Sequence, residues 1–211
     1  VQAILDRYNL DVPASVTDVL TAGTGVVPPR DARLRAVENV IYAAPSQSLD
    51  AAAELAREAG CAVEILGDAI EGEAREVASQ HAQIALDRQA GMAPGDPPRV
   101  LLSGGELTVT RRGDGVGGPN AEYALALAVA LDGAPGIHAI ACDTDGVDGA
   151  AEVAGAIIAP DTVLRGPDAA AALDRNDAHG FFERLGDQVV PGPTLTNVND
   201  FRAVLVEPLP G

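Results

Sequence analysis

The sequence has no lysine and no tryptophan, and its 14 basic residues are all arginine. The missing lysine excludes, within these 211 residues, a Walker-type phosphate lysine and Schiff-base chemistry. Aromatic residues make up only 3% of the chain, so a core has to be built from Ala, Val, Leu and Ile. Positive charge is scarce against 31 acidic residues, and the net charge is -17. That balance disfavours nucleic acid and anionic membrane surfaces as partners, because both demand a basic face. Only two cysteines are present, Cys61 and Cys142, each in an apolar run. They read as free thiols in a reducing cytosol, not as a disulfide framework. No apolar run approaches the ~18 residues of a membrane-spanning helix. The start, "VQAILDRYNLDVP", has neither the basic nor the apolar region of a signal peptide. It also lacks Met, which fits a piece of a longer chain. C-x-x-C, H-x-x-x-H and G-x-S-x-G are absent, so zinc, thiol and serine-hydrolase mechanisms have no support.

What is present is an alternation of strand and helix patterns. Short helices are expected over Val1–Tyr8 and Asp18–Ala22, followed by a loop, "GTGVVPPRDARL". Asn39–Ala44 reads as an apolar strand. "PSQSLDAAAELAREAGC" reads as a helix capped by Ser46 or Ser48 and stopped by Gly60. "CAVEILG" is the next strand, and "EGEAREVASQHAQIALDRQ" a long amphipathic helix with His81 on its apolar face. The Gly/Pro-rich residues 90–99 are the best boundary in the chain. Strands "VLLSGG" and "ELTVTRR" follow, then a glycine stretch, an Ala/Leu helix and the strand "HAIACDTDG". Helices near Ala169–Arg175 and Gly180–Leu185, and strands at Gln188–Val190 and "FRAVLVE", complete the pattern. This alternation predicts an α/β protein with a mainly parallel sheet and helices on both faces.

Four segments carry candidate chemistry. In "RRGDGVGGPNAEYALALAVALDG", Gly113, Gly115 and Gly118 spell G-x-G-x-x-G. A dinucleotide cradle would need an apolar strand before it, whereas "ELTVTRR" alternates and ends in two arginines. A phosphate cradle would use Gly117, Gly118 and Asn120 at the start of the following helix. Simple capping by Asn120 is the third reading. In "SGGE", Gly104 and Gly105 either make a tight turn or let a ligand lie on backbone beside Ser103 and Glu106. In "CDTDGVDG", Asp143 and Asp145 sit where a strand empties into a loop, the side of an open α/β sheet that binds ligands. They could hold Mg²⁺, directly or through water, or form an Asp-rich turn. In "GPTLTNVNDFR", Thr194, Thr196, Asn197, Asn199 and Asp200 offer hydroxyl, amide and carboxylate groups to a polar ligand. His179 lies close in sequence to these segments and is a candidate proton carrier.

Together, "LLSGGELTVT", "GDGVGGPNAEYALALA", "DTDGVDGAAEVAGA", "NDAHGFFERLGD" and "TLTNVNDFRAVLV" resemble the C-terminal MOFRL domain of the glycerate 2-kinase family, whose members have often been labelled hydroxypyruvate reductases. The resemblance places that domain at residues 99–206. It makes residues 1–90 the tail of a Rossmann-like N-terminal domain whose remainder is missing. It implies ATP and Mg²⁺ as cofactors, with phosphoryl transfer to the 2-hydroxyl of D-glycerate. It also implies a nucleotide and a small hydroxy-acid substrate bound by Ser103–Glu106, Gly117, Gly118, Asn120, Glu122 and the 194–200 segment, with Asp143 and Asp145 catalytic and metal-holding. A homo-oligomer stays open. Alternatives are an NAD(P)H-dependent hydroxypyruvate reductase and a non-catalytic binding module derived from the kinase. The chain departs from the family pattern G-G-R-N-Q-E, having Pro119 for the Arg and Ala121 for the Gln.

Overall fold

The computed structural model describes residues 1–23, 27–149 and 152–211. The expected loop at 23–34 and the motif "DTDGVDGAAEVAGA" therefore fall partly outside the described residues. The chain divides into two units, Val1–Tyr42 and Ala43–Gly211. The first holds helices α1 (Gln2–Tyr8) and α2 (Ala14–Ala22) and a single 3₁₀ turn at Ala32–Leu34. None of its described residues is buried. The expected strand at Asn39–Ala44 does not form: Val40, Ile41 and Tyr42 are exposed, and no strand among the described residues pairs with them. β-propensity without a partner strand leaves backbone hydrogen bonds unmade, so extended sequence alone does not make a sheet.

The second unit is a six-stranded sheet with helices on both faces. In chain order it runs α3 (Pro45–Glu58), β1 (Ala62–Glu73), α4 (Ala74–Ala90), β2 (Arg99–Thr108), α5 (Pro119–Leu131), β3 (Ile137–Asp143), β4 (Gly155–Ile158), α6 (Thr162–Arg165), α7 (Ala169–Asp174), α8 (Ala178–Leu185), β5 (Gln188–Val189) and β6 (Asp200–Val206). The strand order is β1-β2-β6-β3-β4-β5. Among the described residues only β1 and β2 pair in parallel; the other four pairings are antiparallel. The sheet is thus mostly antiparallel, which corrects the expectation of a mainly parallel one. The reason is topological. The β2–α5–β3 crossover leaves a gap between its strands, and the last strand, β6, fills it running the other way. The Gly/Pro stretch at 90–99 joins α4 to β2 inside this unit, and β1 pairs with β2 across it.

Period-two alternation assigns the two faces. Ile137, Ala139 and Ala141 of β3 and Val204 and Val206 of β6 are buried beneath α4 and α5. Leu102 of β2 turns to the other face, where it packs with Leu49 and Ala53 of α3. Beyond Asn120 and Glu122 in its first turn, helix α5 is apolar around its circumference, and every residue from Asn120 to Ala128 is buried, as its Ala/Leu composition requires.

The segments "VLLSGG" and "ELTVTRR" are not two strands joined by a turn. The strand runs unbroken through Ser103-Gly104-Gly105-Glu106. Gly105 takes a φ of +111° beside a register shift in β1, and a Cβ there would collide with the Ile70 backbone. Glycine absorbs the irregularity without reversing the chain.

Candidate functional site

The third and fourth candidate segments come together. Asp143 ends β3 and lies directly opposite Asp200, the first residue of β6. The Thr144 hydroxyl donates to the Asn199 carbonyl at 2.8 Å and accepts from the Val198 amide at 2.8 Å. Thr194 donates to the Thr144 carbonyl at 2.5 Å, and the Asn197 side-chain amide donates to Asp145 at 3.1 Å. Thr194 and Asn197 therefore brace the aspartate loop. Thr196 contributes its carbonyl, which also accepts from Thr194. Asn199 adopts a left-handed φ of 63° and sends its amide to the Asn197 side chain at 2.9 Å.

Within the loop, Asx hydrogen bonds order the two carboxylates. The Asp145 amide donates to Asp143 at 3.0 Å, and the Val147 amide donates to Asp145 at 2.8 Å. Burial pushes the Asp143 carboxyl up to about 6, with the negative charges of Asp145 and Asp200 adding to the rise. A cation here would relieve that unbalanced charge. Among the described residues there is no group of three or more His, Cys, Asp or Glu side chains arranged around one metal position. Two carboxylates with free lone pairs nonetheless fit Mg²⁺, which keeps several of its waters.

Beneath this loop runs a string of buried polar groups. Arg202 is fully buried, on the same face as Val204 and Val206. It donates to Asp200 at 2.8 Å, to the Gly104 carbonyl at 2.8 Å and to the Ser103 hydroxyl at 3.3 Å. Its guanidinium also lies over the Tyr123 ring, 5.5 Å from the centroid. Ser103 and Gly104 thus hold the arginine from below. Asp200 accepts from the Asn120 side chain at 2.7 Å and from the Leu107 amide at 3.2 Å. The Asn120 Oδ1 atom, also buried, has no partner among the protein atoms. The reverse amide orientation would set that oxygen against the Asp200 carboxylate, so the assignment follows from charge. Farther along, the Tyr123 hydroxyl meets His81 Nδ1 at 2.8 Å. Burial, with Arg202 adding, lowers His81 to about 4 and drives the Tyr123 hydroxyl upward against the opposing pull of Arg202.

The glycine stretch has a different setting. A Cβ at Gly113 or Gly115 would collide with the 175–177 turn, and one at Gly118 with Asp148. The first amides of α5 already hold an anion: Asp148 accepts from the Asn120 amide at 2.9 Å and the Ala121 amide at 2.8 Å. Gly117 packs against the Asn176 carbonyl. Glu122 is buried and accepts from Arg75 at 2.6 Å and from Asn176 at 3.0 Å. Glu106 is exposed on β2. The His179 ring is buried and its Nε2 lies 3.1 Å from the Asp148 carbonyl.

Asp148 and Arg202 are the two site residues that sequence reasoning passed over. Arg202 had a readable signal, since alternation places it on the inward face of β6 with Val204 and Val206. Asp148 had none, because its partners come from a helix 28 residues earlier in the chain.

Residues 99–200 match the model of the MOFRL family. A provisionally named hydroxypyruvate reductase of Agrobacterium vitis is 49% identical over 97% of this chain and 47% of its own length. The D-glycerate 2-kinase of Thermotoga maritima is 33% identical over 93% of the chain and 47% of its own. The crystal structure of a glycerate kinase from the same organism superposes with a TM-score of 0.84 at 31% identity, covering 98% of this chain and 49% of that one. The chain spans about half the length of the curated relatives it matches.

Proposed function

From the premise that this chain belongs to the MOFRL family through residues 99–200, we propose that it is the C-terminal portion of an ATP- and Mg²⁺-dependent glycerate 2-kinase. The reaction is phosphoryl transfer to the 2-hydroxyl of D-glycerate. The carrying observation is similarity along nearly the whole chain to an enzyme named D-glycerate 2-kinase, in sequence and in fold.

The site supports the reading chemically. Phosphoryl transfer is largely positioning and charge neutralisation. Asp143 and Asp145 would hold Mg²⁺, which when bound supplies positive charge to the phosphate oxygens. The 194–199 segment fixes those carboxylates through Thr144 and Asp145. Arg202 balances Asp200, so the charge left over at this end of β3 and β6 is that of Asp143 and Asp145. The α5 amides are spent on Asp148, so phosphate contacts have to come from other groups. The chain has no lysine, and Pro119 stands where the family pattern has Arg, so the cations for those contacts are Arg111 and Arg112, exposed beside the glycine stretch, or groups in the part of the family fold outside these residues. The small hydroxy acid and the nucleotide are the proposed ligands, and the missing half is the proposed partner.

A coupled ADP-release assay tests this. The 211-residue chain with Mg-ATP and D-glycerate is expected to turn over little or not at all, while the full-length parent phosphorylates glycerate. Robust turnover by the chain alone would overturn the half-site reading. The name carried by the Agrobacterium vitis relative favours a second reading, nicotinamide-dependent reduction of hydroxypyruvate. NADH oxidation by the full-length parent with hydroxypyruvate, in the absence of glycerate phosphorylation, would establish it instead.

A further inference from the structure

We propose that Asp148 is a positioning residue that fixes the Asp143–Asp145 loop by acting as the resident anion at the N-terminus of α5. The proposal rests on the reading of Asp143 and Asp145 as cation ligands, and it assigns a role to a third aspartate that does not itself face the cation.

Two independent observations carry it. The first is the carboxylate geometry. Oδ1 accepts from the Asn120 amide at 2.9 Å and Oδ2 from the Ala121 amide at 2.8 Å, with the Asn120 side chain at 3.4 Å from Oδ1. A separate amide donor on each oxygen calls for acceptor lone pairs on both, which the ionised carboxylate provides. The first turn of a helix is also where a negative charge is favoured. Asp148 is almost completely buried, so it cannot exchange these donors for water.

The second is the way the backbone has been cleared for this contact. Gly118 has no room for a Cβ because Asp148 sits against it. Gly149, at a φ of +70°, is cleared in the same sense: a Cβ added there would lie 3.1 Å from the Gly118 Cα and from the Gly117 carbonyl. His179 closes the far side, with Nε2 at 3.1 Å from the Asp148 carbonyl and 3.4 Å from Oδ2. The Asp148 amide is tied to the Val153 carbonyl at 2.7 Å. Every polar group of Asp148 is thereby held. Three residues upstream, the Asp145 carboxylate is linked to Val147 next door, and Gly146 packs on Gly192 of the opposite segment. The aspartate loop is therefore clamped at one end by α5 and braced at the other by residues 192–199.

This separates two roles that the sequence presents as one Asp-rich run. Asp143 and Asp145 are half-buried at the strand end and keep lone pairs open to a cation. Asp148 is buried, with both oxygens turned to the helix. It also explains why a glycine-rich entry to a helix here is not a phosphate cradle: the protein supplies its own anion.

The test uses the 211-residue chain and its Asp148→Asn and Asp148→Gly variants. In the wild type, through-hydrogen-bond NMR couplings are expected from the Asn120 and Ala121 amide nitrogens to the Asp148 carboxylate carbon. In both variants, amides of Asn120, Ala121, Asp145 and Val147 should exchange about 5-fold faster or more, the size of a lost cap. Mn²⁺ affinity, read by paramagnetic line broadening, should fall about 10- to 100-fold, as when a group supporting a metal ligand is removed. Formate should restore both readouts in Asp148→Gly by filling the emptied anion position, while leaving Asp148→Asn unchanged. Wild-type absence of the couplings overturns the clamp even if neither variant folds. Unchanged exchange at Asp145 and Val147 in a folded variant overturns the positioning role. Failure of the wild type to bind Mn²⁺, with exchange and formate rescue as expected, instead removes the metal reading and leaves the clamp standing.

Discussion

Asp143 and Asp200 stand directly opposite one another on β3 and β6, yet only Asp200 has a cationic partner. Arg202, two residues along the same strand, reaches back to Asp200 at 2.8 Å. One carboxylate of the facing pair is thus neutralised from inside the core and the other is left half-buried at the strand end. That asymmetry is the electrostatic basis of the site.

The first consequence concerns Asp143. Its carboxyl is raised from 3.8 to about 6, chiefly by burial. A raised folded-state value means that its contribution to stability is complete below pH 3.8 and is lost as pH rises through about 6. Asp143→Asn removes that loss. The variant should melt at higher temperature than the wild type at pH 7 to 8, with the gain fading toward pH 4. Thermal unfolding across that pH series, in metal-free buffer, checks it.

His81 should show the opposite slope. Burial and Arg202 lower it to about 4 from an ordinary 6.5. Its contribution is therefore intact above 6.5 and is lost as pH falls through 6.5 toward 4. In His81→Gln the drop in unfolding free energy between pH 6.5 and 4 should be smaller than in the wild type. Urea titrations at several pH values measure this directly.

Arg202→Met should be severely destabilising. It removes a fully buried cation and leaves Asp200 in the core facing only its neutral donors. Breaking a buried pair on one side costs about 3–5 kcal/mol. Arg202→Lys should recover only part of it, because one ammonium cannot reproduce the three separate contacts to Asp200, Gly104 and Ser103. Denaturant midpoints of the two variants distinguish these outcomes.

Gly105→Ala tests why β2 carries a glycine pair. The residue sits at a φ of +111° against the Ile70 backbone. Backbone strain alone costs about 1–3 kcal/mol, before the clash with β1 is added. Gly95→Ala, also at positive φ but with open space around its Cβ position, should cost less. The difference in urea midpoint between the two isolates the collision.

Much of the element inventory could be read from local pattern. The Ala/Leu-rich α5, the alternating β6 and the strand that delivers Asp143 all follow from periodicity over a few residues, where side-chain direction is fixed by the backbone. The same patterns failed at Asn39–Ala44, because a strand needs a neighbour that local sequence does not name. They also failed at "SGGE", where glycine served a register shift and not a turn.

The candidate site divides along the same line. The sequence by itself determined which chemical groups are available: many carboxylates, arginine as the only strong cation, glycines where backbones can approach, and no lysine. Only the tertiary structure decided which of those groups are already spent. Asp148 is used by α5 and Glu122 by Arg75, each through a partner far away in the chain, and Asp200 by Arg202 from its own strand. Ionised groups in a low-dielectric interior must be paired with donors or opposite charge, and the pairing is set by the packing of β6 between β2 and β3. Asp143 and Asp145 stay available because they sit at the strand end, where that packing stops.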